Sequence, residues 1–325
     1  MNLVSYYYFV EAAKDLHITN TAKRLFISQQ NLSNHIQKLE QYYGVELFNR
    51  KPKLSLTYAG EKLLEAAERI LGEDANVINQ LAEISEKGVG VLRVGIPAYR
   101  AQVCLPLILP IFYQKWPNIK IQLTETQSAN MEEMVAEGLL DVFIGIKNAD
   151  DSALEVTPLL NDHTYLMASD TLLHKYYGKR ADRLKQEALN GTDLKAFSEL
   201  PYMLVKLPNR LRKTTDECFN AAGYKPNVFI ESSNTELLIS LYPKDFAAFF
   251  VTEMRLPLLE DIMTNSSCFP LMSGGDLIMH RLVIAHRAEK YLTQYVKDFI
   301  KISIEVLQEI EISRQKARGK AGKRV

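Results

Sequence analysis

Between Thr19 and Gln41 the chain reads TNTAKRLFISQQNLSNHIQKLEQ, and the spacing of its apolar residues leaves few ways to fold. Leu32, Ile36, Leu39 and Tyr43 recur at i, i+4, i+7 and i+11, a single stripe at helical period that must be buried. The opposite face carries Gln30, Ser33, Asn34, Gln37, Lys38 and Gln41: amides, a hydroxyl and a cation, with no carboxylate. Ser28 is placed to cap the first free N–H groups of this helix. In the preceding short helix Ala22 and Leu25 point to a core and Lys23 and Arg24 to solvent, while Phe26 and Ile27 are expected to pack between the two helices. Two short helices with a tight turn and a carboxylate-free amide face suit a DNA duplex. Amides bond bidentately to adenine in the major groove, and a carboxylate there would be repelled by phosphate. On this pattern alone the alternative is an amphipathic helix pair with a solvated polar face.

The 325 residues suggest two or three domains, and 47% apolar residues supply their cores. No run of about 18 uncharged apolar residues occurs, and MNLVSYYYFVEAAKDL is charged too early for a signal peptide, so a cytoplasmic chain without a membrane partner is expected. Cys104, Cys218 and Cys268 are odd in number and far apart, which indicates neither a disulfide framework nor a metal site. Net charge is zero, yet unevenly spread. Residues 1–65 carry eight cations and six acids, residues 314–325 six cations and no acid, and the rest 25 cations against 33 acids. A basic end and an acidic body belong to different jobs.

In chain order, Leu3 to Leu16 is a first helix whose Leu3, Tyr7, Val10 and Ala13 are expected to face the helix pair. After Gly44, a helix-ending residue, LFNRKPKLSL reads as two short strands around a basic tip, a wing whose Arg50, Lys51 and Lys53 would meet phosphates. Thr57 caps a long helix to about Glu86, with Leu63, Ala67, Ile70, Val77, Leu81 and Ile84 at 3-4 spacing. Nothing near in sequence covers that stripe, so the expected partner is the same helix of a second subunit, with Gly72 and Asp74 interrupting the seam. The alternative is a helix packed on its own body.

Here the spacing resembles the LysR-type transcriptional regulators. Their pattern is matched by Ala22, Leu25, Ser28, Gln29, Leu32, Ser33, Ile36, Leu39, Glu40, Gly44, Leu47, Phe48, Arg50, Leu56, Thr57, Ala59 and Gly60. The chain departs from it at His17, Thr21, Gln30 and Asn34; the last stands where the family commonly has Arg, so that base contact is missing. The resemblance implies double-stranded promoter DNA, a small-molecule effector, a dimer or tetramer and RNA polymerase as partners, with no cofactor. The DNA-binding residues would be Gln29, Gln30, Ser33, Asn34, Gln37, Lys38, Arg50, Lys51, Lys53 and Thr57.

Beyond Gly88 and Gly90, Val91–Ile96, a helix from about Arg100 to Trp116, Ile119–Glu125, a helix from about Asn130 to Glu137 and Asp141–Ile146 make βαβαβ. A second unit runs from Thr164–Ser169 through strand Tyr202–Lys206, helix Asn209–Ala222, strand NVFIES and a helix after Asn234. Then His280–Arg287 returns as a strand, and a closing helix spans Lys290 to about Ile312. This resembles the two-lobed, periplasmic-binding-protein-like effector domain of the family. The expected fold is therefore α/β overall: a winged helix-turn-helix (1–58), a linker helix (59–88), an effector domain (89–310) and a basic tail (311–325). Lobe I would be 91–162 with 268–305, and lobe II 163–267. The run 178–198 reads as an insertion, and residues 314–325 as a disordered or frayed tail that either adds phosphate contacts or only solubilises the chain.

A ligand, of a kind that suits anions, would sit where strand C-termini and helix N-termini converge, at Ala98, Tyr99, Arg100, Thr126, Gln127, Ser128, Ile146, Leu207, Pro208, Asn209 and Thr252. The hydroxyl that the family often uses for a carboxylate is absent at Ala98, and Arg100 is either its charged replacement or an ordinary surface arginine. A solute-binding module or an enzyme with an accessory helical domain is the competing class. No GxSxG, P-loop, HExxH, GxGxxG or paired-carboxylate pattern occurs at usable spacing, and the six histidines are scattered, so no catalytic or metal residues are assigned.

Overall fold

The computed structural model describes residues 2–51, 53–84, 89–126, 128–147, 153–288 and 291–321. Its N-terminal unit comprises helices α1 (Leu3–Asp15), α2 (Ile18–Arg24) and α3 (Gln29–Tyr43), strands β1 (Phe48–Asn49) and β2 (Ser55–Leu56), and the long α4 (Tyr58–Ile84). Local chemistry sets these boundaries. The Asn2 carboxamide accepts from Ser5 N, His17 Nδ1 from Asn20 N at 3.3 Å, and Ser28 Oγ from Asn31 N at 3.1 Å. Gly44, at φ 69, closes α3 in the left-handed region that favours glycine. Leu32, Ile36 and Leu39 are buried with Phe9, Leu47, Phe48, Leu63 and Ala67 in one core.

Three sequence expectations change here. On α1 the inward face is Tyr6, Phe9, Val10 and Ala13, while Leu3 and Tyr7 are exposed. Phe26 does not pack between the helices: at φ 56 it ends α2 in the left-handed region, and its ring is 97% exposed. Tyr43 is partly exposed, but its hydroxyl meets that of Tyr6 at 2.7 Å.

Helix α4 divides its labour. Leu63 and Ala67 pack on its own domain, so that part of the stripe needs no second subunit. Further on, the Asn79 carboxamide bonds both the N–H and the C=O of Val91, Asn76 Oδ1 accepts from Arg93, and Glu73 pairs with Arg287 at 2.6 Å. The helix is thereby fixed to the second domain. Gly72 does not interrupt it: the glycine is buried where a Cβ would meet Gly138 O at 3.2 Å. Ile70, Val77, Ile78 and Leu81 remain exposed. The expected end at Glu86 and the break at Gly88 fall outside the described residues.

The second domain opens with β3 (Gly90–Gly95), α5 (Ala98–Lys115), β4 (Ile119–Thr124), α6 (Ser128–Ala136) and β5 (Val142–Ile146). Strand β6 (Leu154–Ser169) follows, then α7 (Asp170–Tyr177), α8 (Ala181–Ala188), β7 (Pro201–Val205), α9 (Arg210–Ala222), β8 (Asn227–Ser232), α10 (Thr235–Leu241) and β9 (Ala248–Thr252). The chain ends with β10 (Ser266–Pro270), the small hairpin β11 (Met272–Ser273) and β12 (Asp276–Leu277), β13 (Met279–Arg287) and α11 (Gln294–Ala321). Among the described residues one sheet runs β4-β3-β5-β13-β6-β9-β7-β8, with β10 also paired to β6.

β6 joins the lobes. Its first part, to His163, lies antiparallel to β13, and from Thr164 it pairs with β9 and β10. Lobe I packs α5 and α11 on β3, β5 and β13; lobe II buries α7, α8 and α9 against β6, β7 and β9. Because β10 pairs with Tyr165–Ser169, residues 268–270 lie with lobe II and not with lobe I. The run 178–198 packs into lobe II, where Ala181, Leu184, Ala188, Leu194 and Phe197 are buried in the core. Helix α11 continues to Ala321, so the basic segment is helical well past Ile312 instead of frayed; the start expected at Lys290 and residues 322–325 lie outside the described residues.

Candidate nucleic-acid interface and effector cleft

The buried stripe of α3 leaves Gln29, Gln30, Ser33, Asn34, Gln37 and Lys38 exposed together. Gln29 is partly committed, its Oε1 accepting from Thr19 Oγ1 at 3.0 Å. The wing is tied to this helix through Glu40, which accepts from Leu47 N at 3.0 Å and pairs with Arg50 at 3.1 Å. Arg50 is nonetheless well exposed, and an exposed pair of this kind is worth about 0–1 kcal/mol, so Glu40 holds the guanidinium only weakly. Lys51 and Lys53 are exposed at the tip. Thr57 behaves differently. Its hydroxyl donates to Glu46 O at 2.7 Å and accepts from Gly60 N at 2.9 Å, so it caps α4 and has no proton left for a phosphate oxygen.

A cleft of about 440 Å³ lies between the lobes. Ala98, Tyr99, Arg100, Thr126, Ser128 and Ile146 line it from lobe I, Pro208 and Asn209 from lobe II. Thr252 lines a smaller adjoining chamber that shares Tyr99 and Asn209. Leu207 lines neither and is largely exposed, and Gln127 lies outside the described residues. The sequence reading missed Glu125, Arg210, Lys213, Ser233 and Thr235, which also face the cleft. A signal existed for four of these: Arg210 and Lys213 occupy the first turn after the Asn209 cap, and Ser233 and Thr235 flank the Asn234 cap.

Arg100 is not an ordinary surface arginine. Its side chain is only 2% exposed, and its Nη1 pairs at 2.8 Å with fully buried Asp162, whose other oxygen accepts from Met254 N at 3.0 Å. Nη2 has no hydrogen-bond partner. The carboxylate sits on β6 at the point where that strand passes from one lobe to the other, so it ties the cleft wall to the crossing. His280, bonded to Thr214 Oγ1 at 3.0 Å, is pushed down to about 4 by burial and by the nearby Arg210 and Arg100. Helix α5 starts at Pro97 with no side-chain cap; Asn209 caps α9 through Leu211 N at 2.9 Å.

Comparison with known proteins agrees with this architecture. Residues 3–61 match the family model "Bacterial regulatory helix-turn-helix protein, lysR family", and residues 85–308 match "LysR substrate binding domain". The HTH-type transcriptional regulator cbl of Escherichia coli (strain K12) is 31% identical over 232 residues, 70% of this chain and 69% of that protein. The regulator AlsR of Bacillus subtilis (strain 168) is 25% identical over 305 residues, 93% and 95% of the two chains. Among solved structures, CbnR, a LysR family transcriptional regulator, superposes with a TM-score of 0.67 at 19% identity over 94% of this chain and 99% of that one. Full-length CbnR complexed with its target DNA gives 0.66 at 20% identity over 93% and 99%. The chain belongs to the LysR family of DNA-binding transcriptional regulators. Among the described residues no helix is long and apolar enough to cross a membrane.

Proposed function

We propose that this regulator reads an operator with the exposed face of α3 and that a small molecule held between its lobes changes how it does so. The observation that carries the reading is the outer face of α3: six polar side chains exposed together, held rigid by a buried stripe and free of carboxylates. Gln30, Ser33, Asn34 and Gln37 would meet base edges, Gln29 and Lys38 the groove margins, and Arg50, Lys51 and Lys53 the phosphates. Thr57 is left out, because its hydroxyl is already spent on the helix cap.

The exposed Ile70, Val77, Ile78 and Leu81 support pairing of two chains through α4 and so a dimer, or a dimer of dimers, on an interrupted palindrome. The cleft would take the effector at Ala98, Tyr99, Arg100, Thr126, Ser128, Ile146, Pro208 and Asn209. We read the protein as a non-enzymatic, cytoplasmic regulator, with RNA polymerase as a further partner. Gel-shift titration on the DNA just upstream of its gene, repeated at several salt concentrations, tests this. Specific retention that weakens linearly on a log–log salt plot is expected, and equal affinity for upstream and scrambled duplexes would contradict it.

A further inference from the structure

In its lobe I part, β6 is an edge strand. Among the described residues it pairs there with β13 alone, since β9 and β10 join it only from Thr164 onward. Side chains of α11 serve the same stretch. Gln308 Nε2 donates to Pro158 O at 3.1 Å, and Glu311 Oε2 accepts from Asn161 N at 3.3 Å. A helix laid on a strand edge is an ordinary device against edge-to-edge pairing. Here the contacts run past the strand. Arg314, the next residue on the same helix edge, donates from Nη2 to Glu253 O at 3.5 Å, on the segment that follows β9.

That segment is the joint between the lobes. The Glu253 carboxylate meets His163 Nδ1 at 3.0 Å, on the last residue of β6 before it crosses. Met254 N donates to Asp162 at 3.0 Å, and the Met254 side chain is buried in the lobe I core. Arg255 Nη2 donates to Gln102 of α5 at 3.0 Å and to Glu236 of α10, one helix from each lobe. Leu259, a turn later, is buried in the lobe II core. Rotation of one lobe on the other is absorbed by a few residues at element ends, and residues 161–163 and 253–255 stand at that place in this chain.

We propose that Gln308, Glu311 and Arg314 form a brace on this hinge, so that the C-terminal part of α11 sets how freely the two lobes turn. None of the three lines the cleft. The brace holds both chain segments of the joint, Pro158–Asn161 and Glu253, and it does so by three side-chain hydrogen bonds. Bonds of that kind are individually modest, so the brace limits the motion without locking it.

Hydrogen exchange of the full-length protein, followed by mass spectrometry, tests this. Three regions are compared: the braced strand at residues 159–163, the start of α10 at residues 235–239, which meets lobe I through Arg255, and β3 and β7 as internal references. In Gln308→Ala with Arg314→Ala, residues 159–163 and 235–239 should both exchange about three- to tenfold faster, with the references within about twofold of wild type. Lys301→Ala, on an exposed side chain of the same helix outside the brace, should change none of them. Faster exchange at 159–163 alone would show that α11 merely covers a strand edge, and would overturn the proposal. So would no change in either region, or the same change in Lys301→Ala. Should the double variant be loosened throughout, references included, Gln308→Ala alone decides, because that side chain is exposed: the same two-region pattern at about two- to threefold supports the brace, and its absence overturns it. The measurement needs no effector, so its failure would leave the effector reading standing.

Discussion

Asp162→Ala tests the interior of the cleft wall. The substitution removes the carboxylate 2.8 Å from a guanidinium that is only 2% exposed, and it also strips the acceptor from Met254 N. Breaking a buried pair on one side leaves an uncompensated charge, which costs about 3–5 kcal/mol. In a unit of this size each kcal/mol shifts the melting temperature by about 2–4 °C, so a fall of about 6–20 °C is expected. The chain has a single tryptophan, Trp116, whose Nε1 donates to Asp298 at 2.8 Å in lobe I, so urea unfolding followed by its fluorescence reports on the affected lobe. The double variant Arg100→Met with Asp162→Leu removes both charges and should recover most of the loss, since apolar replacement of a buried pair is often neutral or better. A single variant within about 1 kcal/mol of wild type, or a double no more stable than the single, would refute the assignment of a buried, mutually dependent pair.

Other consequences are as specific. Gly60→Ala puts a Cβ 2.1 Å from the carbonyl oxygen of Leu47, a backbone atom that cannot step aside; the DNA-binding domain should lose about 1–3 kcal/mol in chemical denaturation, and a wild-type midpoint would argue against this close approach. His280 titrates near 4 when folded against an ordinary 6.5, so between those values the unfolded chain takes up a proton that the folded one refuses. Stability should therefore fall as pH drops from about 6.5 to 4, by at most about 3 kcal/mol from this group, and His280→Asn should flatten that limb; an unchanged pH profile would contradict it. Leu81→Lys, on the exposed stripe of α4, should shift sedimentation from dimer toward monomer at micromolar concentration, and an unchanged dimer would place the interface elsewhere.

What could be read from the sequence was what local spacing determines. The α3 stripe as far as Leu39, the Ser28 cap and the Gly44 terminus each depend on residues within one or two turns, and all three stand in the fold. On α1 the inward face is ambiguous in the sequence because LVSYYYFVEAA contains two overlapping apolar sets, Leu3-Tyr7-Val10 and Tyr6-Phe9-Val10-Ala13, and both satisfy a helical period. Only the position of α3 and α4 chooses between them. Strand β6 was seen in its second part alone, since Pro158, Asn161 and Asp162 break the apolar pattern of the first; its pairing with β13 joins residues more than a hundred positions apart. Arg100 carries no sequence mark of burial, because its partner Asp162 lies 62 residues away. The cations at the start of α9 were visible as charges, but which surface they face depends on how the lobes meet.

If α3 reads bases while the wing holds phosphates, one competition titration separates the two roles. Wild type, Gln30→Ala, Asn34→Ala and Lys53→Ala are each titrated against cognate and scrambled duplexes at several salt concentrations. The α3 variants should each lose about 1–3 kcal/mol on the cognate site and little on scrambled DNA. Lys53→Ala should weaken both nearly alike and lower the magnitude of the salt slope by about one per subunit. Equal losses on both duplexes for Gln30→Ala and Asn34→Ala would show that this polar face does not read bases.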